Sequence, residues 1–293
     1  METSREPPEP IKRLLRQEAS FGCCKCGYPF YEYHHIIPYS EIHAHDPDNM
    51  MVLCPNHHHQ ATVGALTSEA QRENKASPFN RQRGYATGPL FVDEPYLAVQ
   101  LGTNQFVGTG TKLAVDGAPL LLLERGEDGG LLVSLDLYDR ADRLLATISR
   151  NEWKTGDEPG PWDFEYGHRW VRVRNRPRKV NLFLDARRSP VHIETLLWRK
   201  GQSFSARGDR IQVNGAAVKD VTITNVCLVG LSLDVDTAKG ALRIVADPEF
   251  GEGTLVSWPD PEERVRRGYA AYLKLVAEAE QKKRAGRPAD PIS

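Results

Sequence analysis

The chain has 293 residues, enough for two domains, and its 38 lysines and arginines against 39 aspartates and glutamates leave a net charge of −1. That balance argues against a protein that coats nucleic acid tightly and without selection. Residues 1–10 hold three prolines among alternating charges and no apolar run, so no signal peptide or membrane span is expected, and a cytoplasmic protein is the default reading.

Residues 11–19, with Ile11, Leu14, Leu15 and Glu18 at helical spacing, predict a short amphipathic helix. It leads into a stretch, Cys23 to His59, that holds four of the five cysteines and seven of the nine histidines. Two knuckles frame this stretch, Cys23-x-x-Cys26 and Cys54-x-x-His57. Each knuckle lets two side chains reach one ion, and together they complete the tetrahedral sulfur and nitrogen shell that zinc prefers. Four protein ligands leave no position for substrate, so the Zn²⁺ is read as structural, joining two ends of a segment too small to bury much core. Cys24 is left over; it could replace Cys23, although the x-x spacing favours Cys23 and Gly27 suits a tight turn after Cys26. Buried cysteines without metal are the alternative, opposed by the pairing into two short-range knuckles.

Between the knuckles lie His34-His35-Ile36-Ile37-Pro38 and then Asn49, and His58 follows the last zinc ligand. The segments CCKCG, HHIIP and DNMMVLCPNHH, in that order, resemble the HNH endonucleases with a ββα-metal fold, in the version clamped by two Cys-x-x-Cys knuckles. The resemblance covers about residues 11–83. His57 stands where many members carry a fourth cysteine, and Cys₃His shells are ordinary for zinc. His34 stands where most members carry an aspartate, and the double histidine is similar to the colicin-type DNases.

The resemblance implies that His35 is a general base toward water, a task suited to an imidazole with a pKa near neutrality. It implies that His34 and His58 hold a divalent ion, Mg²⁺, Mn²⁺ or another, that polarises the scissile phosphate, and that Asn49 orients His35 or braces the loop. Neighbouring side chains on a strand point to opposite faces, so a bend or bulge is expected at His34-His35. His43, His45 and His59 read as solvated loop or helix histidines.

After His57 a helix is expected to carry His58 inward and to continue from Thr62 to Lys75, ending before Ser77-Pro78. Residues 79–88 are polar and read as a connection rather than as a phosphate-contacting arm. From Leu90 to about Ala246 short alternating segments dominate, among them Leu131 to Tyr138, Leu144 to Ser149, Trp170 to Val173 and Val226 to Val235. Turns such as Asp116-Gly117 and Asn214-Gly215 separate them, which predicts an all-β domain. A β-sandwich is the first choice; a short β-solenoid is the alternative, prompted by residues 102–115 and 212–231. Pro261 to Lys283 reads as a closing helix and Arg284 to Ser293 as a tail.

The expected fold class is thus α+β. It comprises a disordered terminus (1–10), a zinc-clamped ββα-metal domain (11–83), a linker (84–90), an all-β recognition or regulatory domain (91–258), and a C-terminal helix and tail (259–293). Arg172 and Arg174 lie two apart on one strand face, with Arg176 in the turn beyond. They are candidates for tracking a nucleic-acid backbone, or else a solvated strand face. Trp153, Trp162 and Trp170 read as core or hairpin aromatics. Two functions compete. One is a metal-dependent endonuclease acting on DNA, with His35, Asn49 and His58 at its catalytic centre and the β domain for targeting or control. The other is a non-catalytic zinc-stabilised module that binds nucleic acid or protein. The presence of His35, Asn49 and His58 together favours catalysis, since a binding module needs only the knuckles. A role in phage defence or in a mobile element is suggested by the resemblance alone.

Overall fold

The computed structural model describes residues 6–155 and 163–285; residues 1–5 of the expected disordered terminus, Trp162 and residues 286–293 of the expected tail lie outside them. The architecture is α+β. The chain opens with α1 (Glu9–Glu18), β1 (Glu32–His35), α2 (Tyr39–Ile42), β2 (Met50–Leu53), α3 (Pro55–Thr62), α4 (Ser68–Ala76), α5 (Phe79–Arg83) and β3 (Ala86–Thr87). Strands β4 (Leu97–Leu101), β5 (Asn104–Gly108), β6 (Gly110–Val115), β7 (Ala118–Arg125), β8 (Leu131–Tyr138), β9 (Leu144–Ser149) and β10 (Glu152–Thr155) follow. Next come β11 (Asp163–Gly167), β12 (Trp170–Arg176), β13 (Lys179–Asp185), β14 (Val191–Arg199), β15 (Gln202–Arg207), β16 (Arg210–Gly215) and β17 (Val221–Ile223). The chain closes with β18 (Val226–Val229), β19 (Leu231–Asp236), β20 (Ala241–Ala246), β21 (Thr254–Ser257) and α6 (Pro261–Ala285). Two compact units result, residues 1–90 with 144–183, and residues 91–143 with 184–293.

In the first unit β1 and β2 form an antiparallel pair in unbroken register, with His34 opposite Met51 and His35 opposite Met50. The expected bulge at His34-His35 is therefore absent, because the two rings occupy opposite faces, as strand alternation dictates. All four residues of β2 are buried, and they pack with Leu15 and Ala19 and with Ala61 and Leu66 into one apolar core. Helix α3 starts earlier than expected, since Pro55 at its first position presets the helical φ and Cys54 takes the cap. It also stops earlier. Gly64 adopts φ +77, a left-handed conformation that ends a helix, and Thr67 caps the restart at α4 by accepting from the Ala70 amide.

The polar stretch expected as a connection holds α5, whose Asn80 is 1% exposed and donates to the carbonyls of Ser20 and Gly27. Strand β3 pairs with β10, which pairs with β9, and β11 pairs with β12. Trp153, buried as expected of a core aromatic, packs tilted against Phe164 with ring centroids 3.9 Å apart, and Phe164 meets Phe21 edge-on at 5.6 Å. Beside them Arg16 of α1 makes a bidentate bond to Asp163 of β11 (2.9 and 2.8 Å) and donates to the Tyr33 hydroxyl of β1 at 2.7 Å. Strand β1 is thereby tied to residues more than a hundred positions away.

The second unit is all-β with a closing helix. One sheet runs β20-β19-β6-β7-β8; the other runs β14-β4-β5-β18-β21, with β15, β16 and β17 added beside β14. The stretch expected as one strand, Val226 to Val235, is two, because Gly230 at φ +59 turns the chain from one sheet into the other. Gly108 to Gly110 makes the same passage between β5 and β6, so β18 lies parallel to β5 and β19 parallel to β6. Helix α6 packs Tyr272 and Leu275 against Ala98, Val107, Cys227 and Val229. Arg264, fully buried, fixes its first turn through the carbonyls of Thr103, Trp258 and Pro259. Among the described residues no helix is long and apolar enough to cross a membrane.

Candidate metal centre and histidine layer

Cys23, Cys26, Cys54 and His57 converge, with their ligand atoms all within 4.8 Å of one another. Local structure accounts for this. Gly27 at φ +73 turns the chain after Cys26, with its amide on the Cys23 carbonyl at 2.7 Å; Cys54 caps α3, and His57 lies one turn inside it. The Cys26 and Cys54 sulfurs are 3.9 Å apart, and His57 Nδ1 lies 3.4 Å from Cys23 Sγ and 3.3 Å from Cys54 Sγ. A tetrahedral zinc with bonds of about 2.3 Å to sulfur and about 2.0 Å to nitrogen needs sulfurs about 3.8 Å apart and sulfur about 3.5 Å from nitrogen. The residues fit the ion. Burial pushes the Cys23 thiol up to about 12 and the Cys26 thiol above its ordinary value, so thiolates here need a cation beside them. Burial, and then Lys25, hold His57 below its ordinary pKa, in the neutral form a metal binds. Cys24 is buried outside this set; its backbone bonds to Val52 and Phe79 instead.

Next to this shell β1 and α3 bring His34 and His58 together, edge to face with ring centroids 5.0 Å apart. Residues 23–63 match the HNH endonuclease family model. No curated protein and no solved structure matches the chain.

Within the HNH segment the partners of the two rings assign their tautomers. The Gln71 amide nitrogen donates to the Leu66 carbonyl at 2.8 Å, which turns its oxygen toward His34 Nε2 at 3.0 Å. His34 is therefore the donor at Nε2, and its lone pair is on Nδ1. His58 Nδ1 faces the Glu32 carboxylate at 3.0 Å, so the proton sits on Nδ1 and the lone pair on Nε2. A carboxylate behind an imidazole is the usual support of a metal-binding histidine. His34 is 9% exposed, and burial, then the charge of His58, hold its pKa at about 4. It stays neutral at neutral pH and able to bind a cation.

The remaining sequence candidates divide. Asn49 accepts from the Ile37 amide and donates to the Ile37 carbonyl, both at 3.0 Å, so it braces the loop after β1 and is not bonded to His35. His35, on the opposite face from His34, lies with Nε2 3.1 Å from His45 Nδ1. His43 and His59 are exposed, as expected. Arg174 bonds to Asp163 at 3.0 Å and Glu165 at 2.5 Å. Arg172 lies 3.5 Å from Glu165 and over the rings of Trp170 and Phe183, while Arg176 is exposed. Glu32, Gln71 and His45 are the residues that sequence reasoning missed. Glu32 had a signal, since it lies two positions before His34 and so on its face of the strand. Gln71 and His45 had none, because each reaches its partner only through tertiary folding.

Proposed function

We propose that the HNH segment is a metal-dependent endonuclease that hydrolyses phosphodiester bonds of DNA. The observation that carries this reading is the pair of lone pairs, His34 Nδ1 and His58 Nε2, set by Gln71 and Glu32 beside a closed zinc shell. Zinc stability alone requires none of these four residues; divalent metal binding uses all of them. His34 and His58 would hold the ion, Mg²⁺ or Mn²⁺, whose chemistry when bound is to polarise the scissile phosphate and to stabilise charge on the leaving oxygen. His35 takes the proton of the attacking water, and Asn49 keeps the turn after β1 rigid, so that the imidazole is held in place. His34, His35, Asn49 and His58 all precede the linker, which supports assigning targeting or control, rather than chemistry, to the all-β region.

The test is cleavage of supercoiled plasmid with Mg²⁺ or Mn²⁺ by the full chain and by His35→Ala. The variant should keep its zinc and lose about 10² to 10⁴ in rate, the usual worth of a general base. His58→Ala should need more added Mg²⁺ or Mn²⁺ for half-maximal rate. Failure of the wild-type protein to cut single- or double-stranded DNA or RNA with any of several metals would instead support the zinc-stabilised binding module.

A further inference from the structure

His45 lies in the loop between β1 and β2, a stretch that in the sequence offers only scattered histidines. The loop is built to return this one to the end of β1. Helix α2 ends at His43 in a left-handed conformation (φ +49), the Asp46 side chain accepts from the Asp48 amide to start a 3₁₀ turn, and Asn49 pins Ile37 at the loop's other end. Tyr39 stacks on the His45 ring at 4.9 Å with planes 20° apart and also meets His35 at 5.4 Å. His45 Nδ1 is thereby held 3.1 Å from His35 Nε2.

Two neutral imidazoles at that distance need one N–H and one lone pair between them. If His45 donated, His35 would carry its own proton on Nδ1 and its lone pair would be spent on His45, leaving it no nitrogen with which to act as a base. If His35 donates from Nε2, its lone pair is on Nδ1. We propose that His45 is the positioning residue of His35: it accepts from Nε2–H, sets the tautomer with a basic Nδ1, and fixes the plane of the ring. The inference rests on the reading of His35 as general base. When Nδ1 takes a proton from water, His35 becomes an imidazolium and its Nε2–H bond to His45 becomes charge-assisted. The contact is then stronger in the transition state than in the ground state, which is the condition for it to speed the reaction.

Two substitutions separate this role from ring packing. His45→Phe keeps a ring on Tyr39 and removes the acceptor; His45→Asn removes the ring and keeps an acceptor near the position of Nδ1. With supercoiled plasmid and Mg²⁺, His45→Phe should lower kcat about 10- to 100-fold, as losing the group that orients a working imidazole does elsewhere, with KM unchanged. His45→Asn should restore most of that loss. Side-chain ¹⁵N spectra of zinc-loaded protein should show His35 as the Nε2–H tautomer in the wild type and as a mixture in His45→Phe. Wild-type rate in His45→Phe, or equal loss in both variants, would overturn the proposal, as would an Nδ1–H tautomer at His35. Should His45→Phe fail to retain zinc, His45→Asn decides alone, since a tenfold loss there contradicts the role. If His35→Ala cleaves normally, or wild type does not cleave, the function reading falls, and the tautomer still decides whether His45 accepts from His35.

Discussion

The zinc shell and the histidine layer share the segment from Cys23 to His58, yet they are organised by opposite rules. Each zinc ligand belongs to a knuckle of four residues, and the Cys26–Cys54, Cys23–His57 and Cys54–His57 ligand atoms already stand close to the separations a tetrahedral ion requires. Each ring of the histidine layer instead depends on a residue outside its own motif: His34 on Gln71, His58 on Glu32, His35 on His45. A closed shell can be specified locally because the ion itself supplies the geometry. A layer that works on substrate must present lone pairs in chosen directions, so further groups have to fix which nitrogen carries the proton.

The largest expected effect strikes both regions at once. Structural zinc in small domains contributes about 10 to 16 kcal/mol to folding, as much as or more than a whole domain's stability. Cys54→Ser should therefore lose zinc by elemental analysis and lose the fold of the HNH segment by circular dichroism, whereas His35→Ala should keep both. An unchanged melting temperature in metal-free protein would break the comparison at its root.

A smaller effect should separate the two regions through Asp163. Its removal leaves Arg16, 3% exposed, as a buried charge without its bidentate partner, a loss of about 3 to 5 kcal/mol. Asp163→Ala should lower the unfolding free energy from denaturant melts by that amount while retaining zinc, because Arg16 and Tyr33 support the strand that carries the histidines and not the metal ligands. Loss of zinc in this variant would mean the shell is not locally specified.

Acid should probe the histidine layer next. His34 has a folded pKa of about 4 against an ordinary 6.5, so between those values the unfolded chain binds a proton that the folded chain does not. The contribution is fully present above about pH 6.5 and is lost as pH falls toward about 4, with a ceiling of about 3 kcal/mol. Denaturant melts across that window, with zinc content checked at each pH, should show the decline, and His34→Gln should flatten it.

The smallest effect is expected from the triple variant of Arg172, Arg174 and Arg176 to alanine. Three phosphate contacts would contribute about 0.9 each to the salt slope of duplex binding. Because Arg172 and Arg174 already face Glu165, and Arg174 also Asp163, the slope should move by no more than the single exposed Arg176 can supply. A drop near three units would show that nucleic acid displaces these carboxylates and that all three arginines contact phosphate.

Strands β8 and β9 have the bounds that alternation predicts, and α1 follows its apolar spacing, because in each case one buried face writes its period into the sequence. Strands β3, β5, β10, β11, β15 and β21 escaped. In β5 all five residues are buried, so Asn104 and Gln105 interrupt the apolar pattern without marking a solvent face. The helix α5 escaped because its one decisive side chain, Asn80, is polar and buried, satisfied by carbonyls some 50 to 60 residues back. Residues 144–183 escaped as part of the first unit for the same kind of reason: what ties them to it includes Arg16 with Asp163 and Phe21 with Phe164, pairs that no local period reveals. A fragment ending near residue 88 would strip Arg16 of that partner.

The sequence by itself determined the zinc set and the candidate histidines, since ligand spacing acts over a few residues; the β1 and β2 pair followed only from the resemblance, because β2 is buried throughout and writes no alternation. Only the tertiary structure decided how those histidines are held. It placed His34 and His35 on separate faces, gave each ring its partner, and turned two arginines of a basic strand toward carboxylates. The physical reason is that a proton's place on an imidazole depends on the atom about 3 Å from the other nitrogen, and the chain brings that atom from wherever folding happens to leave it.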